Sequence, residues 1–145
     1  LEAVNEGEMM RPIKTLLACW DEATDTALAT LGEGFQVTVV HRLDEVKRLL
    51  ELDHFNLIVA TIRFDESRPL ELLPLAARFT VPVALVRFGV SQLSPEVVSG
   101  VFVAARSLGC GATLDLAARS KVIGAEAAIA ELRIALRAAA HRVVG

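Results

Sequence analysis

The chain carries three histidines, His41, His54 and His141, and two cysteines, Cys19 and Cys110. The histidines are scattered, with no metal-ligand spacing and no paired acid, and so read as surface or strand-end residues. The cysteines are too few for a disulfide scaffold and too far apart for a CxxC clip, and a reducing cytoplasm suits them. Cys19 closes an apolar run and reads as a small core residue rather than a nucleophile. Gly32-Glu33-Gly34 and Gly109-Cys110-Gly111 each form a GxG. Neither extends to GxGxxG, and each precedes a strand-like run, whereas a dinucleotide fingerprint follows a strand and opens a helix. A P-loop, a GxSxG elbow and an HExxH helix are all absent from the sequence. No catalytic constellation is left, so we expect no enzymatic activity, no resident cofactor and no metal site. What remains are charged groups that follow apolar runs: Asp21 and Glu22 after Trp20 (the sole tryptophan), Arg63, Asp65 and Glu66 after Thr61, and Arg87.

The elements that must position these groups alternate regularly. Apolar, β-branched runs at Ile13–Cys19, Gln36–His41, Asn56–Ile62, Pro82–Phe88 and Ala112–Leu116 read as strands. Between them, Asp21–Leu31, Asp44–Leu52, Leu70–Phe79 and a segment opening at Ser94-Pro95-Glu96 read as helices. Ser94 is suited to an N-cap with proline at the first helical position, and Gly109 to a stop. Pro74 puts the start or straightness of the third helix in question. Ala125 to Arg142 is a helix on propensity, with Ile129, Leu132, Leu136 and Val143 at helical spacing. Continuously apolar strands need cover on both faces, and alternation with helices gives parallel crossovers. The fold class is therefore α/β: three layers, with five strands and five helices.

Composition sets limits on the partners. The 145 residues are 53% hydrophobic and 23% charged, with a net charge of −3. Mean hydropathy is +0.47 and the isoelectric point about 5.6. That excludes a wholly disordered chain and makes nucleic-acid binding by this domain a poor expectation. No uninterrupted apolar stretch of about 18 residues occurs, so no membrane span is expected. Residues 1–10 read as an acidic arm or remnant, followed by one domain over residues 11–145.

In order and spacing, several segments resemble the receiver domain of bacterial response regulators, over roughly residues 11–143. Leu31-Gly32-Glu33-Gly34-Phe35-Gln36-Val37 resembles that family's exit from its first helix. Asn56 to Ile62 resembles its third strand, and Leu70-Glu71-Leu72-Leu73 the start of its third helix. Val81-Pro82-Val83-Ala84-Leu85-Val86 resembles its fourth strand, and Ala105 to Ala112 the approach to its fifth. The resemblance implies a flavodoxin-like (βα)5 domain with strand order 2-1-3-4-5. It also implies a phosphorylation site, which this sequence departs from almost everywhere. The acceptor aspartate position carries Thr61, the acidic pair becomes Trp20 and Asp21, the hydroxyl position becomes Arg87, and the lysine position becomes Leu116 or an immediate neighbour. A threonine hydroxyl forms no acyl phosphate, and one carboxylate rarely makes a useful Mg²⁺ site by itself.

The resemblance thus implies a degenerate, or pseudo-receiver, domain that signals by protein–protein contact. The family's usual contact face, made by the fourth helix, fifth strand and last helix, would here include Val97, Val101, Leu114, Ile134 and Arg137 and would hold a homodimer or a partner protein. Any output domain is expected to be absent or removed. Two readings of Arg87 stand: a guanidinium in the vacant metal site paired with Asp21, or, preferred, a solvated side chain. Trp20 either packs over the emptied site, which is preferred, or anchors a partner. Asp65 and Glu66 read as a solvated acidic loop, with a displaced phosphoacceptor at Asp65 as the rival reading. A small-molecule sensor with a pocket at the strand ends, involving Trp20, Asp21, Thr61 and Arg63, is the other rival.

Overall fold

The computed structural model of the chain describes residues 11–89 and 93–141, without the side chains of Glu66 and Ser67. The arm read over residues 1–10, the side chain of Glu66, Arg142 and Val143 lie outside that description. Five strands form one parallel sheet: β1 (Ile13–Ala18), β2 (Phe35–Val40), β3 (Leu57–Ala60), β4 (Val83–Arg87) and β5 (Ala112–Asp115), in the order β2-β1-β3-β4-β5. The helices are α1 (Thr24–Leu31), α2 (Leu43–Leu52), α3 (Leu72–Arg78), α4 (Pro95–Ser107), α5 (Leu116–Ile123) and α6 (Ala125–Ala140). A single helical turn, Phe64–Ser67, follows β3. All four residues of β3 are buried, as an inner parallel strand covered on both faces requires.

Two cores result, one on each face of the sheet. Val46 and Leu50 of α2, Leu72 and Ala76 of α3, and Val98 and Phe102 of α4 pack on Leu16, Ile58 and Leu85. Ala27 and Leu31 of α1 and Ala128, Leu132 and Leu136 of α6 pack on Leu17, Val59 and Val86. Alternate residues of one strand thus feed opposite cores.

Several boundaries differ from the sequence reading for local reasons. Asp21–Ala23 forms a 3-10 turn that leads into α1. Pro69 opens a 3-10 turn before α3, and Pro74 then falls in the first turn of that helix, where the missing N–H has no intrahelical acceptor to lose. Ser94 caps α4 as expected, its Oγ accepting from Val97 N at 3.2 Å, and Gly109 follows the helix at φ +96°.

The largest departure is α5, a sixth helix in a stretch with no helical assignment from sequence. Asp115 ends β5 and caps α5 directly, accepting from Ala118 N at 3.0 Å. Gly124, at φ +90° and ψ 156°, then turns the chain into α6. Arg119 of α5 donates from Nε and Nη2 to both carboxylate oxygens of Glu131 in α6 at 2.9 and 3.1 Å.

At the far end of the sheet, α6 is tied to the exit of α1. Arg133 Nε donates to Thr30 O at 2.8 Å. A Cβ on Gly32 would lie 2.9 Å from Arg133 Nη2, and one on Gly34 2.7 Å from Arg137 Nη2. The glycines of that GxG therefore make room for arginines and do not cradle a phosphate.

Candidate functional site

The carboxyl ends of β1, β3 and β4 converge where the strand order changes direction, the usual place for a ligand crevice in an open α/β sheet. Two hollows open there and share Trp20 and Arg63. One, of about 630 Å³, is lined by Glu22, Ala23, Thr26, Thr61, Ile62, Val86, Arg87, Phe88, Gly89 and Leu93 besides the shared pair. The other, of about 510 Å³, adds Cys19, Asp21, His41, Arg42, Glu45 and Asp65. So Trp20, Asp21, Thr61, Arg63 and Arg87 do come together at one rim.

Their partners differ from those expected. Arg87 is neither paired with Asp21 nor solvated. Its Nη1 donates to both oxygens of Asp115, at 3.3 and 3.2 Å, and the two side chains are only 17% and 25% exposed. The cause is register: Arg87 and Asp115 are facing residues at the ends of the neighbouring strands β4 and β5. The sequence reading placed Leu116 or an immediate neighbour here and ended β5 at Leu116, so it missed the pairing of Asp115 with Arg87. Leu116 instead begins α5 and is buried in the core beneath α6. The signal was available as two opposite charges closing two adjacent apolar runs.

Asp21 turns the other way. His41 Nδ1 lies 3.0 Å from Asp21 Oδ1 and 2.9 Å from Cys19 O. Both neighbours are acceptors, so Nδ1 carries the hydrogen. Trp20 is 38% exposed, and the Arg63 guanidinium lies 5.1 Å from its ring centroid, a cation–π stack. Thr61 is buried, and its hydroxyl accepts a long bond from Trp20 N at 3.4 Å. Cys19 is buried beside Thr24 Oγ1 at 3.3 Å, and burial pushes its thiol pKa up, which keeps it a protonated core residue. Burial likewise raises Cys110.

Asp65 departs most sharply from the solvated loop read in the sequence. Its side chain is 4% exposed. Oδ2 accepts from Leu43 N at 2.7 Å and from Arg68 Nη2 at 2.8 Å. The Leu43 amide bond, with Arg68 adding to it, holds the carboxyl below the usual carboxylate range against the opposing effect of burial. Because Leu43 is the first residue of α2, the charge also sits at a helix N-terminus. Asp65 is thus a staple between the β3–α3 connection and α2, held at φ +42°. A carboxylate so enclosed and engaged is a poor acceptor for an incoming phosphoryl group.

Mg²⁺, which the receiver resemblance would bring, needs several hard oxygen ligands. Here Asp21 faces His41, and the adjoining positions are Trp20 and Thr61. Among the described residues no group of three or more His, Cys, Asp or Glu is placed to hold a metal ion. These residues do not fit Mg²⁺.

The expected contact face is mixed. Val97 is 47% and Ile134 71% exposed, while Val101 and Leu114 are partly buried against the two cores. Arg137 does not belong to it. Its guanidinium donates to Gly34 O at 3.4 Å and lies 5.9 Å from the Phe35 ring, at β2, the opposite edge of the sheet from β5. Exposed Val103 of α4, Leu108 just after it and Val122 of α5 were missed. These helices are apolar on more than one side, so no single stripe marks the buried face.

No protein-family model and no curated protein matches the sequence. Solved structures do match. HP1043, an orphan response regulator of H. pylori, aligns at TM-score 0.58 and 16% identity over 86% of this chain and 97% of its own. Full-length FixJ from B. japonicum aligns at TM-score 0.62 and 21% identity over 89% of this chain, which spans 60% of that protein. The beryllofluoride-activated NtrC4 receiver domain dimer aligns at TM-score 0.54 and 15% identity over 81% of this chain and 97% of its own. The chain has the flavodoxin-like fold of receiver domains. Among the described residues no helix is long and apolar enough to cross a membrane.

Proposed function

We propose that the chain is a receiver-like signalling domain of the two-component type that acts through protein contact, without phosphoryl transfer to its strand-end site. One observation carries this reading. Arg87, where the resemblance puts a hydroxyl, and Asp115, the immediate neighbour of Leu116 at the lysine position, are closed on each other across β4 and β5. Thr61 stands where the acceptor carboxylate belongs. The enclosed Asp65 gives a displaced acceptor no support.

The contact surface we propose is the β5 edge with α4 and α6. β5 is an edge strand with all four residues only partly buried, which leaves one row of backbone groups unpaired with any strand. Val97 and Ile134 add exposed apolar side chains on the flanking helices. That the NtrC4 receiver is described as a dimer is consistent with such a mode. Sedimentation equilibrium over a wide concentration range tests it. Association should rise with concentration, should weaken by about tenfold or more in Ile134→Glu or Val97→Glu, and should be indifferent to acetyl phosphate. A monomer throughout, with no partner bound through this face, would remove the contact reading.

A further inference from the structure

The larger hollow has a chemical character that signalling by surface contact does not use. Three donors on its wall lack acceptors among the described residues. Arg63 has the Trp20 ring as its partner and no hydrogen bond or ion pair there. Arg87 commits Nη1 to Asp115 and leaves Nε buried without a partner. Thr61 is 7% exposed, and its oxygen accepts from Trp20 N while its hydrogen is donated to nothing. Of these donors Arg87 Nε is buried without a partner, which is costly, and the partly buried Arg63 and the Thr61 hydroxyl add to a wall that favours an acceptor-rich group.

The rest of the wall narrows the class. Phe88 and Ile62 add apolar surface to the wall, and the Trp20 ring stands at the edge with the Arg63 guanidinium carbon 5.1 Å from its centroid. With no acceptor among the described residues, the Arg63 guanidinium keeps its N–H groups available for the bidentate geometry that a carboxylate fits. Arg87 is already neutralised by Asp115, and Glu22 lines the same hollow. Among the described residues that leaves one unpaired cation and a nearby negative charge, which suits a monoanion and opposes a phosphate dianion. The volume of about 630 Å³ lies within the range of small-molecule sites. The geometry points to a binding site for a small aromatic monocarboxylate, its ring on the apolar wall beside Trp20 and its carboxylate on Arg63 and Thr61. The site stands independently of the protein-contact reading, since it requires neither a partner nor a dimer.

Trp20 is the only tryptophan, so one indole N–H resonance reports on this hollow in ¹⁵N-labelled protein. The probes are 2-naphthoate, its neutral analogue 2-naphthamide, and inorganic phosphate. The expected result is a saturable shift with 2-naphthoate, binding about tenfold weaker or worse for the amide, and no saturable shift with phosphate. Arg63→Gln should reduce naphthoate affinity to the level of the amide, and the remaining resonances report whether the variant is folded. The acid–amide comparison on the unaltered protein needs no variant. No saturable shift with naphthoate, equal affinity for acid and amide, saturation by phosphate at the same concentrations, or full affinity in a folded Arg63→Gln protein would each overturn the assignment.

Discussion

Two side chains decide how the strand-end rim behaves, and both hold partners that the sequence did not announce. Asp115 does two things: it accepts from Arg87 and it caps α5. Arg87→Ala removes only the first and leaves a partly buried carboxylate, an expected loss of about 1–3 kcal/mol in urea or thermal unfolding. Asp115→Ala also removes the cap and should cost about 1 kcal/mol more. Equal costs for the two variants would contradict the dual role. Asp65 makes a pH prediction. Its folded pKa is depressed, first by the Leu43 amide and also by Arg68. A depressed carboxyl contributes its full stabilisation above the unfolded value of about 3.9 and loses it as pH falls through the lower folded value. Asp65→Asn keeps the size of the side chain and tolerates the positive φ. It should therefore lower the melting temperature near neutral pH while narrowing its gap to the parent protein in acid; a gap that stays constant with pH would show that the charge contributes nothing.

At the scale of elements, the α/β alternation was legible because the inner strands are apolar on both faces and α4 carries its own cap and stop in Ser94 and Gly109. Asn56–Ile62 and Pro82–Phe88 could hardly be anything but inner strands. Residues 116–123 were illegible for the opposite reason. Leu116 is the one buried residue in α5, and Val122 is 73% exposed, so no apolar stripe marks the helix. What holds α5 is the local Asp115 cap and the Arg119–Glu131 pair to α6, neither of which leaves a periodic trace. The site was half legible. Sequence placed Trp20, Asp21, Thr61 and Arg87 at one rim, but their pairing depends on a strand register that composition does not encode. Gly124 closes α5 in backbone geometry, φ +90° and ψ 156°, that is essentially restricted to glycine. Gly124→Ala should cost about 1–3 kcal/mol, or roughly 2–4 °C of melting temperature per kcal/mol at this size. An unchanged melting temperature would mean the turn relaxes without strain.

For the whole molecule, the fold and the chemistry of its rim point in different directions. Five parallel strands in the order β2-β1-β3-β4-β5 carry the scaffold of a receiver domain. At the rim Asp21 faces His41, Asp65 is held by Leu43 and Arg68, and Arg87 pairs with Asp115 across the ends of β4 and β5. A scaffold whose rim charges are paired with one another is suited to presenting a surface rather than switching one. The central claim is that no phosphoryl group is taken up, and intact mass after incubation with acetyl phosphate and Mg²⁺ tests it most directly. The account predicts an unmodified mass under conditions that label a competent receiver. A Mg²⁺-dependent phosphoryl adduct, lost in Asp65→Asn or in Thr61→Val, would contradict it and make this domain a working switch.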